Sequence, residues 1–228
     1  MKKSVLIAIV IFIASYIQAH DISEKTAKVG KSDKIELDFD FADQIIIKTW
    51  DKNEAYVKAI VNINDNNDND KYSLSLDVDD RYISFDADIK DLEKLSRSHS
   101  YHQRGIIIRD DDVCIHMEID YEVFLPEGVE IDLNSISGNV EIIGLEGPMR
   151  IKTISGFVDV TLNSKLDLDF ELGTISGGIY SDLDLDIERE YKHMHIMPGG
   201  DIEARLNHGG SVMDLSTISG DIFLRKSK

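Results

Sequence analysis

At 228 residues, with 43 Asp and Glu against 25 Lys and Arg, the chain carries a formal charge of −18 at pH 7. That balance excludes nucleic acid and anionic lipid surfaces as partners, because both are held through Lys and Arg. A hydrophobic content of 42% supports a sizeable core, and the single cysteine, Cys114, excludes an internal disulfide.

Residues 1–19 have the layout of a secretory signal peptide. Lys2 and Lys3 precede an apolar run from Val5 to Ile13, and Ala19 is the small residue at the expected cut. The run is shorter than the roughly 20 residues of a membrane span. No later segment is apolar enough to cross, so the mature chain is not expected to be an integral membrane protein. Cleavage removes two lysines and no acid, leaving the mature form more acidic still. Such a chain resists self-association and attracts cations or a basic partner.

The first half reads as strands. Ile35, Leu37, Phe39 and Phe41 alternate, Gln44 to Trp50 forms a second candidate, and Val57, Ala59, Val61 and Ile63 a third. The polar run Asp65 to Asp70 interrupts. Tyr72 to Val78 and Ile83 to Ile89 alternate again, and this spacing predicts hairpins or a meander. Asp91 to Arg104 is polar and reads as a loop. Val113 to Leu125 then alternates to Pro126-Glu127-Gly128.

From there a repeat takes over. Ser135-Ile136-Ser137-Gly138 recurs as Thr153-Ile154-Ser155-Gly156, Thr174-Ile175-Ser176-Gly177 and Thr217-Ile218-Ser219-Gly220. A degenerate copy ends at Gly200. The glycine-to-glycine steps are 18, 21, 23 and 20 residues, a period that marks a repeat architecture. Apolar residues two apart follow most of these glycines, as in Val140 and Ile142, and steps of about ten residues give each unit two short strands. The expectation is an all-β chain: a β-helix or β-solenoid of about 20-residue coils over 126–228, preceded by an antiparallel or irregular β region over 20–125, with 20–228 forming one continuous domain. In this picture Gly138, Gly156, Gly177, Gly200 and Gly220 turn the corners. Ser137, Ser155, Ser176 and Ser219 stack at them, and Ile136, Ile154, Ile175 and Ile218 stack inside. Glu188 to Met197, in the longest step, is expected to bulge from the wall.

The run Ile45-Ile46-Ile47-Lys48-Thr49-Trp50-Asp51, the segment Tyr121 to Gly128 and the Ile-Ser-Gly-x-Ile/Val repeats resemble the bacterial "putative adhesin" family of exported β-helix proteins. The resemblance covers nearly all of the mature chain. It implies a right-handed β-helix or β-solenoid in the cell envelope, and no catalytic residues to carry over.

Signals for chemistry are sparse. Asp65, Asp68 and Asp70 lie in an Asp-x-Asn-x-Asn opening like that of a calcium loop, but positions 6 and 12 are Asp70 and Leu76 where that loop wants Gly and Glu. A solvated hairpin tip is the plainer reading, and Asp110-Asp111-Asp112 reads the same way. Asp167 and Asp169 against Asp184 and Asp186 suggest carboxylates stacked across strands, which repel unless a cation intervenes. His193 and His195 share a strand face, with His208 one strand later, but two ligands do not make a zinc site. No nucleophile elbow, phosphate loop or metalloprotease motif occurs. The expectation is therefore an exported, non-enzymatic, adhesin-like binder of a glycan or an envelope protein at the cell surface, in the periplasm or outside the cell. A carbohydrate-active β-helix enzyme and a calcium-stabilised surface protein are the alternatives.

Overall fold

The computed structural model describes residues 21–92, 102–103, 106–107, 115–192 and 199–227. The expected signal peptide at 1–19, Cys114, Asp110 to Asp112, residues 193–197 of the expected bulge with His193 and His195, and most of the 91–104 loop lie outside these residues. The described chain is mostly strand, joined by turns and loops, with one short 3-10 turn, Asn69–Lys71. In order the strands are β1 (Asp21–Lys28), β2 (Lys34–Phe39), β3 (Phe41–Trp50), β4 (Glu54–Ile63), β5 (Tyr72–Asp79) and β6 (Tyr82–Ile89). The short pair β7 (His102–Gln103) and β8 (Ile106–Ile107) follows, then β9 (Met117–Pro126), β10 (Glu130–Ile143), β11 (Met149–Ser155) and β12 (Val158–Leu162). The last are β13 (Leu168–Ser176), β14 (Ile179–Ser181), β15 (Leu185–Lys192), β16 (Gly200–Leu206), β17 (Ser211–Ser219) and β18 (Ile222–Lys226).

Sixteen of these strands join in one mixed, open sheet, folded along a line of corners into two walls. β10 shows how. Ile131, Leu133 and Ser135 are buried in the first wall, and Val140 and Ile142 are buried in the second. Alternation is regular within each wall, as a half-buried strand requires. From the last inward residue before a corner to the first one after it the step is five residues. An odd step changes the phase, so one bent strand keeps its apolar side inward on both walls. Thr153 to Val158, Thr217 to Ile222 and Thr174 to Ile179 repeat that step.

Five bent rungs stack in parallel along the corner line: β2–β3, β10, β11–β12, β17–β18 and β13–β14. Two features depart from coils stacked in chain order. The last rung in the sequence, β17–β18, lies between β11–β12 and β13–β14, so residues 211–226 fill a central slot. The degenerate copy at Gly200 is no corner. Gly200 opens β16, which pairs antiparallel with β13, Gly200 lying opposite Thr174. Its neighbours explain this: an antiparallel ribbon of β15 and β16 closes the first wall. The expected bulge over 188–197 is accordingly strand through Lys192, with a register shift between Ile187 and Arg189.

The first half contributes a full rung, β2–β3, whose corner at Asp40-Phe41 carries no glycine. The meander expectation holds for the β5–β6 hairpin. It fails for β3 and β4, because β9 lies between them, parallel to β3 and antiparallel to β4. Strands from both sides of residue 125 thus share one sheet and one continuous apolar core. Within it Phe39 stacks on Tyr121 with ring centroids 4.1 Å apart.

Candidate functional site

The repeat motif builds four of the five corners along which the rungs meet. Ser137, Ser155, Ser219 and Ser176 stand in register at the corners. The hydroxyls that tie the corners together come from two residues earlier. Ser135, Thr153, Thr217 and Thr174 are buried. The Ser135 hydroxyl lies 2.7 Å from both the Phe39 and the Ser137 carbonyl oxygens. Thr153 donates to the Ser155 carbonyl at 3.0 Å, Thr174 to that of Gly220 at 3.0 Å and Thr217 to that of Gly156 at 3.4 Å. A buried hydroxyl needs a partner, and here the partner is often the corner of the adjacent rung.

The glycines answer to close approach as much as to backbone conformation. Gly156 has φ +110°, and a Cβ there would also collide with the Gly138 carbonyl. Gly220 lies outside that left-handed region, yet a Cβ on it would strike the Gly156 carbonyl.

Alternation from Ser135 and its counterparts sends the next residue outward. Ile136, Ile154, Ile218 and Ile175 are therefore not inside the core: they are 40%, 46%, 46% and 47% exposed. They form a ladder on the outer face of the first wall, one isoleucine per rung. Beside it runs a floor made by Asn134, Lys152, Ser216 and Gly173, in register on the same four rungs. Ladder and floor enclose a groove of about 460 Å³, with Asp40 at one end and Asp201 at the other. Four outward isoleucines in a row, at positions that ordinarily carry polar residues, make an exposed apolar stripe on this face.

The other sequence candidates lead elsewhere. Asn64, Asp65 and Asn66 all have positive φ, near 50°, 55° and 65°. The loop they open is closed by asparagines. Asn69 Oδ1 accepts the Ile63 N–H at 2.7 Å, and its Nδ2 donates to the Val61 carbonyl at 3.1 Å. Asn64 Nδ2 donates to Asp68 at 2.7 Å, and Asp70 pairs with Lys71 at 2.7 Å. Asp65, Asp68 and Asp70 are not gathered round a common point; among the described residues no three His, Cys, Asp or Glu side chains form a metal-holding group.

The Asp ladders do not stack carboxylate on carboxylate either. Arg205 on β16 lies between Asp169 and Asp186, with Nε 3.2 Å from Asp169 and a terminal nitrogen 2.7 Å from Glu188. Asp167 accepts from the backbone N–H of His208 and meets its ring at 3.1 Å, which holds its carboxyl below the usual range. This pair is exposed on a turn.

No protein-family model and no curated protein sequence matches the chain. Among solved structures, a "putative cell adhesion protein" from Clostridium sporogenes is similar over 91% of this chain and all of its own, with a TM-score of 0.57 at 11% identity. A "putative adhesin" from Parabacteroides merdae matches at TM-score 0.23 over 70% of this chain and 68% of its own, and a "putative lipid binding protein" from Parabacteroides distasonis at 0.26 over 91% and 97%, both at 11% identity. The first likeness is one of fold. Among the described residues no helix is long and apolar enough to cross a membrane.

Proposed function

We propose that this chain is an exported, non-enzymatic binding protein of adhesin type, and that it holds a glycan or protein partner in the isoleucine-lined groove. The observation that carries the reading is the ladder Ile136–Ile154–Ile218–Ile175, which keeps an apolar residue facing solvent on four successive rungs. The signal-peptide layout supports export, and the fold shared with the Clostridium protein supports the adhesin class. Depressions of this size, apolar with a few polar groups at the rim, are the usual form of a ligand site.

The test is capture. Immobilised protein is presented to a glycan array and to an envelope extract, beside an Ile154→Ser/Ile218→Ser variant with the same thermal midpoint. A partner retained by the native surface and lost by the variant is the expected result. Identical capture by both would remove the groove from the function.

A further inference from the structure

The groove continues beyond Asn134 into a patch of carboxylates. Asn134 lies beside Asp38 on β2, and its amide donates to Asp38 at 3.0 Å. Asp38 in turn stands beside Asp86 on β6. Asp40 ends the isoleucine ladder on the same side, and Asp88 is close enough to Asp86 to act on its carboxyl. At the opposite end Asp201 flanks Gly173. Among the described residues Lys152 is the one cationic side chain lining the groove. The trough is thus apolar along one side and acidic at both ends, in a chain whose overall charge is −18.

Charge decides between occupants. A second copy brings the same excess of acid to the same acidic ends and is repelled. An anionic lipid surface is repelled likewise. A partner that joins an apolar stripe to Lys or Arg satisfies both parts of the groove.

Spacing narrows the partner further. Neighbouring rungs lie about 4.8 Å apart, whereas one face of an extended strand repeats at roughly 6.7 Å. An α-helix advances about 5.4 Å per turn. A helix lying along the ladder would therefore offer one apolar side chain to each isoleucine, drifting by about 2 Å over the three steps. Ser216 and Gly173 are small and lower the trough beside Ile218 and Ile175, with the Asp201 carboxylate close over Gly173. Taking the groove reading above as its basis, we infer that the occupant is a cationic amphipathic helix of a polypeptide partner, its apolar stripe on the isoleucines and its basic residues on the Asp38–Asp40–Asp86–Asp88 patch.

The experiment uses a fluorescein-labelled 18-residue leucine–lysine peptide with one apolar face, titrated into the purified protein and read by anisotropy. A scrambled peptide of the same composition has no apolar face. Expected are saturable binding, at least tenfold weaker binding of the scrambled peptide, at least tenfold weakening by Ile154→Ser/Ile218→Ser, and at least threefold weakening with a shallower salt dependence for Asp38→Asn/Asp40→Asn. The single change Ile175→Ser, at the ladder's end, repeats the isoleucine test with less disturbance, and matched thermal melts verify each fold.

Equal binding of both peptides, or indifference to the isoleucine changes, would mean diffuse attraction to an acidic surface and overturns the inference. Parallel arms measure phosphatidylcholine vesicle binding and sedimentation of the protein alone. Isoleucine-dependent vesicle binding or dimerisation without peptide binding overturns the helix partner while leaving the groove as a binding surface. If no arm responds to the isoleucines and capture is also unchanged, the groove reading falls with it.

Discussion

Gly156 lies against the carbonyl of Gly138 so closely that a Cβ on Gly156 would overlap the oxygen, and its φ of +110° is one that side-chain-bearing residues rarely adopt. Both effects act at one atom. Gly156→Val is therefore expected to destabilise the protein by about 2 kcal/mol or more, since a strained backbone of this kind costs roughly 1–3 kcal/mol before any clash is counted. Gly128 is the control: no heavy atom lies within 4 Å of its would-be Cβ, and its φ is outside the left-handed range. Gly128→Ala should leave the urea midpoint unchanged or raise it slightly. Equal effects at the two sites would contradict the corner geometry.

A second prediction follows from the place of the last rung. In a stack built in chain order, removing the final repeat trims one end. Here β17 pairs with both β11 and β13, and β18 with both β12 and β14. A chain ending at Asn207 should lose cooperative unfolding altogether and bind a hydrophobic dye. Retention of a sharp melt a few degrees lower would argue for an end-stacked rung instead.

The buried tyrosines set an alkaline limit. The Tyr72 hydroxyl donates to that of Tyr121 at 3.4 Å. Burial pushes the Tyr72 pKa from 10.0 up to about 12 and drives that of Tyr121 well above the ordinary range. The fold holds both phenols neutral, while the unfolded chain ionises them near pH 10. Their contribution to stability is thus complete below pH 10 and is lost as pH rises towards 12 and beyond, by about 1.4 kcal/mol per pH unit for each phenol. Tyr72→Phe should make the fall in urea midpoint between pH 10 and pH 12 shallower. An unchanged slope would place the alkaline sensitivity elsewhere.

Asp86 makes a prediction of the opposite kind. Burial first, then Asp38, Asp88 and Asp40, raise its pKa. A carboxyl whose pKa rises on folding favours the native state at low pH and opposes it once ionised. Asp86→Asn should therefore raise the thermal midpoint at neutral pH and give no gain near pH 3. A lower midpoint at neutral pH would show that the carboxylate is compensated by a partner.

Much of the architecture was legible because its signals are local. Alternation located most strands, and the glycine period located the corners at 138, 156, 177 and 220. The inward hydrophobic pairs after Gly138, Gly156 and Gly220, such as Val158 and Val160, were equally plain. The rung at Asp40-Phe41 was missed because its corner has no glycine to mark it. The order of the rungs was not readable, since Thr174 to Ile179 and Thr217 to Ile222 are near copies and nothing local says which lies next to Thr153. The intrusion of β9 between β3 and β4 is likewise set by long-range packing.

The expectation that Ile136, Ile154, Ile175 and Ile218 stack inside fails for a different reason, and the correcting signal is present in the sequence. Leu133 and Ile136 are three residues apart within one extended run, and so cannot share a face of it. Reading phase rather than hydrophobicity would have turned Ile136 outward and Ser135 inward. A buried hydroxyl next to an exposed isoleucine looks wrong on composition alone. It is explained by the corner carbonyls those hydroxyls bind, as Thr174 does that of Gly220.

The central position of β17–β18 also bears on when the molecule is able to fold. A chain emerging N-terminus first, from a ribosome or through a translocation pore, has β11–β12 and β13–β14 long before it has the segment that belongs between them. Until residues 211–226 arrive, those two rungs have no shared neighbour and their inward side chains have no complete core. This part of the sheet is completed only by residues 211–226, so a product lacking them is exposed to proteolysis instead of persisting as a smaller copy of the fold.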